Sequence, residues 1–546
     1  MANKITSSST AEYFSKNLQQ VGFSSGTKSV LTTLKEAVDN SLDACEEAGI
    51  LPNIDVEIEK VGAGAQKNWD LIRVKITDNG PGLHPDDIPR VYGEYLASSK
   101  FGRGKCSRGQ QGIGISAATT WAQLTSTKGV NVVSKTKKMR QAVKGIAEVD
   151  IKNNKGVFKK EKSLDWDRSH GVSIEFFFDG RLQFKGDGGL ITYLTGTSLV
   201  NPHLQLSYKI NDDEQIILER LDDNPITVPE SISPHPHTMK LGEFVSHANI
   251  YGKTSLSKFL KSGFSRITES SLKEFVKNGL KKAWLKKPVN TLGTGDLKNV
   301  FKSIQESKLL APSTKSVLSI GEEGLAKSIN RLGEVDFFSV VSRKPRICDY
   351  KPVVVEVAIA RFLDRKQGDD ESSQILRFAN RVPLQFDKAA CAIVKAIESV
   401  KWKSYGLAQS KKSIPNGPYV IAVSVVSPFI KFKNASKETI DSSNELVEEI
   451  RLTLMQAGQR LSRHIKKEKK AADLESKRQH IEKFGPILIE TIGRITKVPK
   501  SRLAKAEKGL NKILGRDASS AEEELQLAIK RHKQLEEKRL KRKSGK

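Results

Sequence analysis

At 546 residues the chain is long enough for three or four domains of roughly 150 residues each, and its 37% hydrophobic content excludes a disordered polymer. Lys and Arg number 91 against 63 Asp and Glu, a net charge of +28 that points to a polyanionic partner, with nucleic acid first and an anionic membrane surface second. No stretch reaches the ~18 apolar residues of a membrane span, the polar start around Ser7-Ser8-Ser9-Thr10 lacks an apolar signal core, and Cys45, Cys106, Cys348 and Cys391 have neither zinc nor disulfide spacing, so a reducing cytoplasm is expected.

Residues 1–26 read as a polar arm with a short apolar interlude (Phe14, Leu18, Val21, Phe23). Over 27–49, Val30, Leu34, Val38 and Leu42 recur at every fourth position, predicting a helix with one face in a core and Gly49 at its C-terminal cap. Ile54–Val61 and Leu71–Thr77 read as strands, the second running into Asp78-Asn79-Gly80-Pro81-Gly82. A short helix over Asp86–Tyr95 follows, with Pro85 near its start. Next come Ser98-Ser99-Lys100, a glycine-dense loop through Gly109–Gly114, and an apolar helix over Ile115–Leu124.

From Val130 to Phe178 the chain alternates like an antiparallel sheet wetted on one face. Residues 179–235 read as further short strands, closed by a boundary in the Pro229–Pro236 region. Four helices are expected in the lysine-rich part that follows: Leu256–Leu260, Leu272–Leu285, Leu297–Ser307 and Glu322–Leu332. Past Val335 the pattern returns to α/β, with strands at Val353–Phe362, Leu376–Pro383 and Tyr419–Val426. Helices are expected there at Asp387–Val400 and Lys437–Ile465, ahead of a basic end.

The glycine loop offers bare backbone N–H groups at a helix start, which suits phosphate oxygens. It is not a Walker loop, because no Gly-Lys-Ser/Thr follows. It is not a dinucleotide fingerprint either, since no strand feeds it. Glu36 and Asn40 stand one turn apart on one helix face. Asn40 carries a neutral carbonyl oxygen suited to a magnesium ion, and Glu36 is then placed to act as general base on a water. Asp78 can accept an adenine amine, with Gly80 and Gly82 letting the ring lie on the backbone.

Three segments carry a family resemblance: Glu36–Ala44 (EAVDNSLDA), Asp78–Gly82 (DNGPG) and Arg108–Ser116 (RGQQGIGIS). They resemble the ATP-site motifs of the GHKL superfamily of gyrase, Hsp90, MutL and the histidine kinases. The Ser98–Gly102 lead-in (SSKFG), Arg377–Leu384 (RFANRVPL) and Trp402-Lys403 with Tyr405-Gly406-Leu407 narrow the likeness to the B subunits of type IIB topoisomerases, over about residues 1–465. The resemblance implies an α+β multidomain protein. A Bergerat-type α/β-sandwich ATPase domain with its N-terminal arm would occupy 1–236 and a helix–two-turns–helix domain 237–334. An α/β transducer would occupy 335–470, and a basic extension 471–546.

The resemblance further implies ATP and Mg2+ as cofactors, with Glu36 as base and Asn40 as magnesium ligand. It places ATP contacts at Asp78, Gly80, Gly82, Ser99, Lys100, Arg108, Gly109, Gln110, Gln111, Gly112, Ile113, Gly114 and Ile115. Lys437 would sense the γ-phosphate, with Lys431 and Lys433 as alternatives. The family's last strand motif has a threonine after its glycine, where His170-Gly171-Val172-Ser173 has valine, so a hydroxyl contact would fall to Ser173. The implied activity is an ATP-dependent topoisomerase gate that dimerises on ATP and captures duplex DNA. Cleavage would come from a separate A subunit in an A2B2 heterotetramer, in the cytoplasm on the nucleoid, with no membrane involved. A MutL- or Hsp90-like clamp without strand passage is the alternative. A histidine kinase is disfavoured, because no His lies in the 26 residues before the Glu36 helix. A non-enzymatic DNA-binding protein would need all three glycine segments to be plain turns.

Overall fold

The computed structural model describes residues 7–98, 104–109, 111–363, 371–512 and 514. They fall into two compact units, Met1–Gly458 and Gln459–Lys546.

The first unit opens with α1 (Thr10–Lys16) and then α2 (Gly26–Glu47). Ser25 caps α2 by accepting the Lys28 N–H, and Val30, Leu34, Val38 and Leu42 are all fully buried, the stripe that the fourfold spacing predicts. Gly49 ends the helix at φ +66°: its N–H goes to Glu46 O and that of Ile50 to Cys45 O, the paired bonds of a Schellman cap.

Next come β1 (Asn53–Ala63), β2 (Asp70–Asp78), α3 (Ile88–Gly93), α4 (Gly114–Ser126), β3 (Val130–Lys135), β4 (Ala142–Asp150), β5 (Lys155–Leu164) and β6 (Gly171–Gly180). They are followed by α5 (Leu190–Val200), β7 (Gln205–Ile210) and β8 (Ile216–Leu218). The eight strands form one sheet in the order β5-β4-β3-β6-β2-β1-β7-β8, antiparallel except where β1 meets β7. Helices α2 and α4 lie on one of its faces, with Val38, Ile72, Val74, Ala118 and Phe176 in the shared core. The layer arrangement is an α/β sandwich.

Helix α5 departs from the strands expected over 179–235; its β-branched and aromatic residues (Ile191, Thr192, Tyr193, Thr195, Val200) have the composition of a strand. Burial overrides that propensity. Leu190, Tyr193 and Leu194 pack into the first sheet's core, whereas Leu199 and Val200 pack into the core of a second sheet.

A separate helical core follows, built by α6 (Leu241–Tyr251), α7 (Leu256–Gly263), α8 (Glu269–Lys277) and α9 (Thr294–Gln305) around Phe244, Phe259, Phe275 and Val300. The segment Leu272–Leu285 is broken rather than continuous, because Gly279 at φ +100° ends α8 and a 3-10 turn at Lys282–Lys286 follows. Helix α10 (Glu322–Ile329) packs with the second sheet instead, through Leu325 and Ile329.

That sheet comprises β9 (Val335–Ser342), β10 (Arg346–Cys348), β11 (Lys351–Phe362), β12 (Gln374–Ala379), β13 (Val382–Pro383) and, after α11 (Ala392–Ser399), β14 (Tyr419–Val426). The order is β10-β11-β14-β12-β13, with β9 on the edge of β11. The expected single strand at 376–383 is a hairpin, and the expected helix from Lys437 begins only at Asn444, as α12 (Asn444–Thr496).

The second unit is helical over most of its described residues. The chain folds back beyond Thr496, so that Leu503 lies over Gly493 and Leu510 over Gly485. No helix among the described residues is long and apolar enough to cross a membrane, and all four cysteines are free and buried.

Candidate active site

A cavity of about 460 Å³ opens between α2, the loop that starts α4, the end of β2 and a loop from the second sheet. Glu36 and Asn40 line it from α2, as their one-turn spacing predicts. Asp78 lines it from the end of β2. Its Oδ2 accepts the Ser41 hydroxyl at 2.7 Å, and its Oδ1 accepts the backbone N–H of Gly80 at 2.9 Å and of Val172 at 3.1 Å. Burial nonetheless raises its pKa, the hydrogen bonds offsetting only part of that cost.

Gly82 also lines the cavity, and at φ +75° any Cβ there would lie 2.1 Å from Lys135 O, so only glycine fits. Gly80 does not reach the cavity wall; it serves by bonding Asp78.

The glycine loop supplies Gly109, Gln111, Gly112, Ile113, Gly114 and Ile115 to the wall. Gly114, the first residue of α4, lies directly against the base candidate. A Cβ built there would sit 2.0 Å from Glu36 Oε2, so a side chain would fill the space before the carboxylate. Ser99, Lys100 and Gln110 lie outside the described residues.

Two expected contacts fall elsewhere. Strand alternation turns Val172 and Ile174 to the cavity and Ser173 to the other face, where its hydroxyl shares a 2.8 Å hydrogen bond with Thr77. Arg108 is also off the wall. Two carboxylates of α2 claim its guanidinium: Asp43 Oδ1 at 2.8 Å and Glu46 at 2.7 and 3.0 Å.

The 427–443 loop, between β14 and α12, adds Ala435 and Lys437 to the wall. Its arms are joined by the Phe432–Ile440 bridge, and its tip is pinned to α2 at three points. Lys28 Nζ meets Glu438 Oε1 at 3.0 Å, Lys35 Nζ meets Ser436 O at 3.4 Å, and Lys437 Nζ meets Glu36 Oε1 at 3.3 Å. Lys437 holds φ +56°, a left-handed backbone that non-glycine residues adopt only when their surroundings impose it. Burial works against its charge, but the carboxylates of Glu36 and Asp39 outweigh this and hold the ammonium above its ordinary pKa. Of the two other lysines weighed from the sequence, Lys431 lines a different cavity and Lys433 lines neither.

Sequence reasoning missed the charged residues behind the wall. Asp39 is buried on α2, one oxygen accepting from Tyr193 and the other without a hydrogen-bond partner, and burial pushes its pKa up to about 6. The available signal was charge density: Lys35, Asp39, Asp43 and Glu46 all sit in a helix that is otherwise mostly buried.

Residues 27–154 match the family described as histidine kinase-, DNA gyrase B- and HSP90-like ATPase, and residues 312–477 match the topoisomerase VI B subunit transducer. Fold, glycine loop and this match define the class: an ATP-binding ATPase of the gyrase and Hsp90 kind. Among curated relatives, each named as the B subunit of type 2 DNA topoisomerase 6, the chain is 35% identical over 497 residues to that of Archaeoglobus fulgidus, covering 91% of this chain and 80% of the relative. It is 37% identical over 469 residues to that of Methanococcoides burtonii (86% and 74% covered) and 32% over 541 residues to that of Pyrococcus furiosus (91% and 92% covered). The chain belongs to the family of type 2 DNA topoisomerase 6 B subunits.

Proposed function

We propose that the chain is the ATP-driven gate of a type IIB topoisomerase, and that the cavity between α2 and the α4 loop is where ATP is bound and hydrolysed. The observation that carries this is the Lys437–Glu36 contact, because it builds one reaction centre from both sheets. Asp78 accepts the adenine amine, the backbone N–H groups of Gln111 to Gly114 face the phosphates, and Lys437 Nζ meets the γ-phosphate. Glu36 takes a proton from the attacking water at a carboxylate oxygen.

Asn40 fits a magnesium site, since it brings one neutral oxygen to the cavity wall and leaves room for phosphate and water oxygens. The ion, when bound, neutralises charge on the phosphate oxygens.

Contact of ATP with both the α2 pocket and the Lys437 loop favours one arrangement of the two sheets over others. In this reading two copies pair on ATP binding and trap a DNA duplex, and a separate A subunit supplies the break, in an A2B2 assembly on the nucleoid. The +28 charge suits a clamp that must tolerate phosphate backbones. The ATPase domain occupies 1–236 and the lysine-rich helical domain follows it; the transducer begins by 312 rather than 335, because α10 packs with the second sheet, and a basic extension closes the chain. A clamp without strand passage is not favoured, because the transducer match over 312–477 is specific to topoisomerase VI.

The test is ATP turnover by the purified chain, with and without duplex DNA and an A-type subunit. Magnesium-dependent turnover should rise with DNA or partner. Glu36→Gln should lower it about 100- to 10,000-fold while ATP binding persists. A Glu36→Gln variant that hydrolyses ATP at the normal rate would remove the base from this mechanism.

A further inference from the structure

The turn between β12 and β13 has two residues, Asn380 and Arg381, since Ala379 pairs with Val382. Both have positive φ, +47° and +63°. A hairpin tip of this kind is relaxed with glycine at its second position, so an arginine there marks a backbone held by what its side chain does.

The Arg381 guanidinium leaves its own sheet and grips Glu46 in the last turn of α2, with Nη1 to Oε1 at 3.0 Å and Nη2 to Oε2 at 2.7 Å. The same carboxylate receives the Arg108 fork, and His203 Nε2 lies 2.9 Å from Oε1. Arg108 directly precedes the phosphate loop. Its own N–H and that of Gly109 both donate to Asp43, at 3.2 and 3.1 Å. Asn201, at the end of α5, closes the ring by accepting from Arg108 and donating to Arg381 O.

The side chains of Arg108, Arg381, Asp43 and Glu46 are all at most 3% exposed, and two guanidiniums balance two carboxylates. The two forks bind Glu46 in parallel, so a shift of the hairpin tip against α2 cannot be absorbed there without moving Arg108.

We propose that Arg381 is a positioning residue for the ATP reaction: from the second sheet, through Glu46 and Arg108, it sets where Gly109 and the phosphate loop stand relative to Glu36. This rests on the ATP-site reading above. Arg381 touches no cavity wall, so its effect reaches the phosphates indirectly, through Glu46 and Arg108. The same sheet sends Lys437 to Glu36 along the separate 427–443 loop, and the two contacts together fix the sheet to the middle and to the last turn of α2.

The experiment uses the full chain as wild type, Arg381→Met, Arg381→Lys, Glu46→Gln and Glu36→Gln. It reads thermal melting, kcat, KM, and the affinities for ADP and for a non-hydrolysable ATP analogue. Arg381→Met should lower kcat about 10- to 100-fold. It should weaken the analogue while leaving ADP affinity within about twofold, because ADP lacks the terminal phosphate that the loop must meet in register. Arg381→Lys, which keeps the charge but offers a single donor nitrogen in place of the planar fork, should recover part of kcat.

A folded Arg381→Met chain with normal kcat would overturn the proposal, as would equal loss of ADP and analogue affinity, the signature of a merely structural contact. If Arg381→Met does not fold, the same split is required of Arg381→Lys and Glu46→Gln, and its absence overturns the proposal equally. Inactive wild type, or an active Glu36→Gln, would instead break the ATP-site reading. A dead Glu36→Gln beside unaffected Arg381 variants would sink the relay alone.

Discussion

Asp39 sits behind Glu36 and Lys437 with one oxygen lacking a hydrogen-bond partner, and its carboxyl is pushed up to about 6, chiefly by burial. The folded protein therefore holds this proton more tightly than the unfolded chain, whose value lies near 3.9. The associated stability is present in full below about pH 4 and is lost as pH rises through about 6. Asp39→Asn, neutral at every pH, should be more stable than wild type above pH 6, by up to about 3 kcal/mol, and no more stable below pH 4. Chemical denaturation of both proteins at pH 4 and pH 7.5 checks the sign. A gain at the acid end only would mean that Asp39 is charged in the fold.

At this scale, the residues that the sequence makes visible are those whose partners are local. Glu36 and Asn40 are one turn apart, and Asp78 and Gly80 share a turn. The Glu46–Arg381 contact joins residues 335 positions apart and leaves no periodic trace. From its motif alone Arg108 therefore reads as a phosphate contact, although its guanidinium is turned away to Asp43 and Glu46.

Among the elements, α2 carries both Glu36 and Asn40, and its ends are where it can be perturbed cleanly. Gly49 has nothing within 4 Å of a would-be Cβ, so an alanine there meets only the backbone penalty of φ +66°. Gly49→Ala should cost about 1 kcal/mol, visible as a lower melting temperature, with kcat unchanged, because Gly49 itself lies outside the cavity wall, to which this end of α2 contributes Glu47 and Ala48. A loss of activity larger than the loss of stability would show that the cap also sets the helix register. Helices and strands with a one-sided apolar pattern are legible, α2, β1 and β2 above all. Helix α5 is not, because its two ends are enclosed by different cores and its composition is that of a strand. The turn within 376–383 is hidden by the lack of glycine at positions that adopt positive φ. For the same reason the pattern places at Lys437, which is itself left-handed, the start of a helix that begins at Asn444.

Across the whole molecule, the excess of 28 positive charges makes any duplex contact a release of counterions. The DNA concentration needed for half-maximal stimulation of ATP turnover should therefore rise at least about tenfold between roughly 50 and 200 mM salt, while turnover without DNA changes little. A salt-independent requirement would argue that DNA is read by something other than its phosphates. The division into an ATP-binding sandwich, a lysine-rich helical part and a second α/β layer follows from changes in pattern along the chain. The way the two sheets are stapled does not, since α5, the 427–443 loop and the Arg381 turn are each ordinary in isolation and acquire their meaning only from the surface they meet.

The four thiols have a practical consequence. Cys45, Cys106, Cys348 and Cys391 are at most 5% exposed, so the folded chain offers thiol-reactive reagents almost no target. One introduced cysteine, such as Ile250→Cys at a side chain 80% exposed on α6, would therefore take a spin label or a fluorophore alone, without a cysteine-free background. If two copies pair on ATP as proposed, they would carry two probes and give a single intermolecular distance, and watching that distance while ATP is added and consumed would turn the proposed gate closure into a spectroscopic trace.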